Sequence, residues 1–191
     1  MKEVIRLIIV LTAVCSLAGF SLAYVNEKTK DARAYQDRLK LLNSLNIVLP
    51  EHDNQPDKDA VEVSGTVYYI SKLKGAVNGV AFETSSDRGY SGDIRIMVGI
   101  EPTGKIISIA VTDQKETPGL GSKITEGWFL NQYKGKSLQN AKWKVKKDGG
   151  DFEAISGATI SPRAVTDAVR KGLEEYEQRK SKIVEAANVV Q

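Results

Sequence analysis

Small and hydroxyl-bearing residues of the kind that hold anions are concentrated in one stretch, Glu153-Ala154-Ile155-Ser156-Gly157-Ala158-Thr159-Ile160-Ser161-Pro162. Ser156, Gly157 and Ala158 carry little side-chain bulk, so backbone N–H groups there can approach a ligand closely. Ser161 reads as a helix N-cap and Pro162 as the first helical residue. An anion on this turn would sit at the positive end of a helix dipole, with the Thr159 hydroxyl beside it. The turn therefore suits a phosphate. The same letters also spell an ordinary capped turn before a surface helix, and the stretch alone leaves both readings open.

A second stretch makes unusual backbone demands: Asp113-Gln114-Lys115-Glu116-Thr117-Pro118-Gly119-Leu120-Gly121-Ser122-Lys123-Ile124. Pro118 with Gly119 makes a tight turn, and Gly121 permits a second uncommon angle. A rigid loop of this type suits ligand contacts and serves equally as a plain connection. A short helix through Trp128, Phe129 and Leu130 is expected to follow it.

Other reactive side chains carry less. His52, the sole histidine, lies in a polar loop with Glu51, Asp53 and Asp57, which reads as solvated rather than as a metal site. Cys15 is the only cysteine, so no intrachain disulfide is available, and it reads as a lipid-facing or packed small residue. Residues 134–147 hold six lysines and no acid. Alternation of Trp143 and Val145 with Lys142, Lys144 and Lys146 predicts a half-buried strand with a basic outer face. That face is either solvated or docks an acidic partner or anionic lipid. Arg163 is placed either to reach a phosphate or to face solvent.

The elements that must position these residues follow from hydropathy. The chain has 191 residues, room for a membrane segment and one domain. A net charge of +3 and 7% aromatics give no nucleic-acid signal. Residues 7–25 form an uncharged, mostly apolar run long enough to cross a bilayer. A cleaved signal peptide is the rival, with Ser21-Leu22-Ala23 as its cleavage site, but the run is long and a helix continues out of it, so a retained anchor is expected. The lysines and arginines after the run outnumber those before it, a bias that by itself places the domain in the cytoplasm.

Ala32, Tyr35, Leu39, Leu42 and Leu45 recur at helical spacing, which predicts an amphipathic stalk or packing helix. Strands are expected at 66–70, 79–84, 93–100 and 105–111, the last two joined by a hairpin at 101–104. A final helix with an apolar stripe runs from Pro162 to about Lys182, and the tail ending Asn188-Val189-Val190-Gln191 reads as frayed. Strands in short hairpins with helices before and after give an α+β fold. The expected organisation is an anchor at 1–25, an amphipathic helix and polar loop at 26–60, and a domain at 61–191.

Together, Glu116-Thr117-Pro118-Gly119-Leu120-Gly121 and Ser156-Gly157-Ala158-Thr159 resemble the FMN-binding domain of two related membrane complexes. These are the G subunit of the Rnf ion-translocating ferredoxin:NAD oxidoreductase and the C subunit of the sodium-translocating NADH:quinone oxidoreductase. The resemblance runs from the N-terminal anchor through Gly89-Tyr90-Ser91-Gly92 to the last helix, and the chain length favours the Rnf protein. It implies FMN joined through its phosphate to the Thr159 hydroxyl by a separate flavin transferase, with Thr159 a tether and no catalytic residue in this chain. It further implies that Glu116, Thr117, Gly119, Leu120 and Gly121 line the ring pocket, Leu120 covering a face. Ser156, Gly157 and Ala158 then complete the phosphate turn.

The role implied is an electron carrier in an ion-translocating complex, with other Rnf-type subunits as partners. Its flavin domain would lie outside the cytoplasm, against the charge count. The chain departs from the family pattern at Glu153, commonly aspartate, and at Gln114, often histidine. A stand-alone extracytoplasmic flavoprotein reductase and a cofactor-free membrane-tethered assembly module are the alternatives.

Overall fold

The computed structural model describes residues 1–189. Helix α1 runs unbroken over Lys2–Val48 and crosses the expected boundary at Val25 without interruption. The chain divides into two compact units, Met1–Lys40 and Leu41–Gln191. In the first, α1 carries an 18-residue window of mean hydropathy 2.2 with none of it buried, long and apolar enough to cross a membrane.

The second unit is built on five strands, β1 (Val61–Val63), β2 (Thr66–Leu73), β3 (Ala76–Ser86), β4 (Ile94–Ile100) and β5 (Ile106–Asp113). They form an antiparallel sheet in chain order, each strand paired with the next. The three-residue β1 is too short to announce itself by alternation. The β4–β5 turn has the expected place, closed by Glu101 and Gly104 with Gly104 at φ +86°.

Both faces of the sheet are covered, and this explains the composition of β4. Ile-Arg-Ile-Met-Val-Gly-Ile is almost continuously apolar because alternate residues face two separate cores. On one face Tyr68, Phe82, Ile96 and Val98 pack against helix α3 (Ile160–Val189) through Val165, Val169, Leu173 and Tyr176. The Phe82 and Tyr176 rings stack with centroids 6.1 Å apart. On the other face Ala81, Met97 and Ala110 receive Leu45, Val48 and Leu49 from the end of α1 and the residue after it. Gly99 admits that approach: a Cβ there would lie 2.0 Å from the Val48 carbonyl oxygen.

Phe129 of the short helix α2 (Gly127–Leu130) joins Tyr133, Trp143 and Phe152 in an aromatic group beside the sheet. The Tyr133 hydroxyl lies 2.8 Å from Thr166 Oγ1, which itself donates to the Pro162 carbonyl at 2.8 Å. Tyr133 is therefore the donor of that pair, and burial pushes its phenol well above the usual range. Tyr133→Phe is expected to cost about 1 kcal/mol, read as a lower urea midpoint at unchanged slope.

Two expectations need correction here. The segment with the lysine alternation is not a ladder strand. It makes turns, a single parallel bridge from Val145 to Phe152, and a 3-10 turn at Lys146–Asp148. The alternation is real, with Val145 buried, Trp143 half-buried and the lysines exposed. Its cause is packing on the aromatic group, with no strand pairing along it. The last helix also exceeds its expected end at Lys182, because Ile183 and Ala187 are buried and prolong the stripe. Of the expected frayed tail, Val190 and Gln191 lie outside the described residues.

Candidate functional site

Where β5 ends, residues 114–120 fold into a loop held by their own side chains. The Glu116 N–H donates to Gln114 Oε1 at 2.6 Å. The Thr117 carbonyl accepts from the Leu120 and Ser122 N–H groups, both at 3.2 Å. Gly119 supplies a φ of +74° at the tight turn, and its N–H donates to Ser122 Oγ at 3.0 Å. Gln114 thus works as a backbone clamp in this chain.

The hydroxyl-rich stretch folds as a β-turn closed by the Ala158 N–H on the Ile155 carbonyl at 3.0 Å. Gly157 takes φ +78° at the third position of that turn, which a side chain would strain. Helix α3 begins at Ile160, and the Thr159 carbonyl accepts its first bond, from Arg163 N–H at 3.3 Å. Thr159 therefore holds the N-cap position. Ser161, expected to be the cap, lies inside the helix and is 1% exposed. Pro162 tolerates this shift because the first four helical N–H groups lack intrahelical partners anyway.

The reason for the shift is Glu116. Its carboxylate, 4% exposed, accepts from the Ser161 hydroxyl through one oxygen and from the Ser91 N–H at 3.0 Å through the other. One side chain thus joins the 89–92 turn, the loop after β5 and the start of α3. Gly121 leaves it room: a Cβ there would stand 2.7 Å from both Glu116 Oε2 and Ser161 Oγ. Gly121→Ala is expected to lower stability by about 1–3 kcal/mol, because both atoms are already tied to each other. Thermal unfolding checks this, with the midpoint several degrees lower.

The loops so joined enclose a cavity of about 350 Å3. Glu116, Thr117, Leu120 and Gly121 line one side, and Gly157, Ala158 and Thr159 another. Gly119 shapes its turn without entering the wall, and Ser156 faces solvent outside it. Tyr90, Ile160 and Ser161 also line the cavity and were missed as site residues. Tyr90 is 70% exposed despite its size, and the Gly-Tyr-Ser-Gly context was the available signal.

Two charged residues, one at each end of the stretch, point elsewhere. Arg163 makes paired 2.6 Å bonds to Asp148, whose carboxyl they hold below the usual range. It borders a separate cleft of about 600 Å3 with Lys142, Lys144 and Arg170. Glu153 is exposed, pairs with Lys146, and donates its N–H to Gln132 Oε1 at 2.5 Å.

The cavity volume falls in the range of small-molecule sites. Tyr90, Leu120 and Ile160 offer aromatic and aliphatic surface for a flat ring system. Thr159 and the start of α3 offer a hydroxyl and a helix N-terminus suited to a phosphate. The residues present fit a flavin nucleotide.

Comparison with known proteins agrees with this geometry. A family model described as an FMN-binding domain matches residues 89–174, a span that contains every wall residue of the cavity. The G subunit of the ion-translocating oxidoreductase complex of Aliivibrio fischeri is 36% identical over 93% of this chain and 91% of that protein. Its namesake from Vibrio parahaemolyticus is 37% identical, covering 89% and 87%. Among solved structures, Shewanella oneidensis NqrC superposes with a TM-score of 0.53 at 21% identity, over 70% of this chain and 75% of that one. The C subunit of the Na(+)-translocating NADH-quinone reductase of Parabacteroides distasonis gives 0.51 at 22%, over 60% and 62%. At those identities the likeness is one of fold.

Proposed function

Because the chain belongs to the family of G subunits of ion-translocating oxidoreductase complexes and has an FMN-binding domain, we propose that it carries electrons in an Rnf-type complex on FMN esterified to Thr159. The observation that carries this reading is the disposition of three hydroxyls. Ser161 is buried and donates to Glu116, and Ser156 lies outside the cavity. Thr159 shares the wall with Ser161 but is half-exposed there, at the positive end of α3.

When bound, the flavin supplies one- and two-electron chemistry, and the protein sets its surroundings. The helix N-terminus and the Gly157 turn hold the phosphate's charge, while the Thr117 hydroxyl and loop N–H groups offer hydrogen bonds to a polar ring edge. Leu120, Ile160 and Tyr90 limit water on the ring faces. Thr159 is a tether, and a separate flavin transferase would make the ester by moving FMN from FAD to the Thr159 hydroxyl, breaking the pyrophosphate bond and releasing AMP. Glu153 keeps the carboxylate that the acceptor motif commonly has as aspartate.

Residues 1–25 serve as a single-pass anchor and 26–60 as the connection to a flavin domain at 61–191, on the extracytoplasmic side. A flavin held there would supply one- and two-electron relay chemistry between neighbouring subunits of the complex, on the way from ferredoxin to NAD. Ion translocation belongs to those subunits, because one anchor helix offers no ion pathway.

The test is to purify the full chain from membranes of cells that express a flavin transferase, then denature it. Yellow-green fluorescence of the band on a denaturing gel, with the mass of one added FMN, is the expected result. A wild-type chain that loses all flavin on denaturation would overturn the ester. Co-purification of the other members of the complex separates that assembly from a stand-alone reductase.

A further inference from the structure

We propose that the Glu116 carboxylate holds the redox potential of the flavin below that of free FMN, a proposal that rests on the cavity being the flavin site. Among the described residues, Glu116 is the only carboxylate, lysine or arginine in the cavity wall. It has no ion-pair partner among the described residues. The arginine that follows Thr159 most closely, Arg163, is turned to Asp148. The two donors on Glu116 are a backbone N–H and a serine hydroxyl. They satisfy its oxygens without cancelling its charge.

The group also lacks room to swing away. A Cβ at Gly121 would stand 2.7 Å from one carboxylate oxygen, and a Cβ at Gly89 2.9 Å from the other. Burying a carboxylate without a cation opposes folding, and such groups cluster where a site uses their charge. Glu116 is 4% exposed, so water screens its charge little, and each electron added to a ring there is opposed by the fixed negative charge. The oxidised flavin is favoured and the potential falls. The neutral wall formed by Tyr90, Leu120, Ile160 and Thr159 provides no cation to offset this.

The experiment is a spectroelectrochemical titration of the flavin-loaded full chain in detergent, beside free FMN in the same buffer. Wild type is expected below free FMN, and Glu116→Gln is expected to move the midpoint upward towards it. Glu116→Asp, which keeps the charge, should stay nearer wild type than Glu116→Gln does. A merely structural role would lower thermal stability in both variants without this ordering. A wild-type midpoint at or above free FMN overturns the proposal, and this measurement decides even where Glu116→Gln fails to fold. Equal midpoints for wild type and a folded Glu116→Gln overturn it as well. Absence of covalent flavin from the wild type is a different result and overturns the ester assignment instead.

Discussion

Thr159→Val is expected to abolish covalent flavin completely, leaving a folded chain with no fluorescent band after denaturation. Valine keeps the branched shape and removes only the nucleophilic oxygen. Losing a hydroxyl at an N-cap position costs on the order of 1 kcal/mol, too little to unfold a domain of this size. Three controls sharpen the result. Ser156→Ala should retain the flavin mass, because Ser156 lies outside the cavity wall. Ser161→Ala should also retain it at Thr159 while losing stability, because it leaves one Glu116 oxygen without its donor. Thr159→Ser keeps a hydroxyl at the same place and should keep the ester. Intact-protein mass spectrometry reads all four, and a flavin mass persisting on Thr159→Val would show that the tether is elsewhere.

The largest expected effect on stability is at Gly99, remote from the cavity. Gly99→Val would drive side-chain carbon into the backbone of α1, where even a Cβ meets the Val48 carbonyl oxygen at 2.0 Å. A helix terminus cannot yield as a flexible side chain does, so the last turn of α1 must lift from the sheet. Lifting it uncovers Leu45, Val48 and Leu49, each worth about 1.5–3 kcal/mol when buried. Overpacking adds its own strain, and the expected loss is about 4 kcal/mol or more. Chemical denaturation of the detergent-solubilised chain measures it. A variant within about 1 kcal/mol of wild type would mean that the α1 turn contributes little to the domain.

Four of the five strands were legible because β-branched runs were bounded by turn residues. The end helix was legible because its stripe keeps one period from Ala164 to Tyr176. The strand expected at 142–146 failed for a physical reason. Alternating burial is produced by any extended segment whose alternate side chains enter a core, and here that core is Tyr133 and Phe152 rather than a sheet. The N-cap was misplaced by two residues because Ser161 is a good cap by type and has a better partner by position.

The site divides along the same line. The family resemblance joined the two motifs; by itself the sequence determined that one loop carries tight glycine turns and that another pairs hydroxyls with a helix start. Those are properties of residue type and local spacing, which neighbouring chain enforces. Only the tertiary structure decided which hydroxyl of the stretch is already engaged, because Glu116 lies 45 positions before Ser161 and accepts its hydroxyl. It also decided that Arg163 faces Asp148, that Tyr90 faces the cavity, and that Gly99 admits a backbone. Each depends on groups far apart in the chain meeting at a few ångströms, and local spacing holds no information about such meetings.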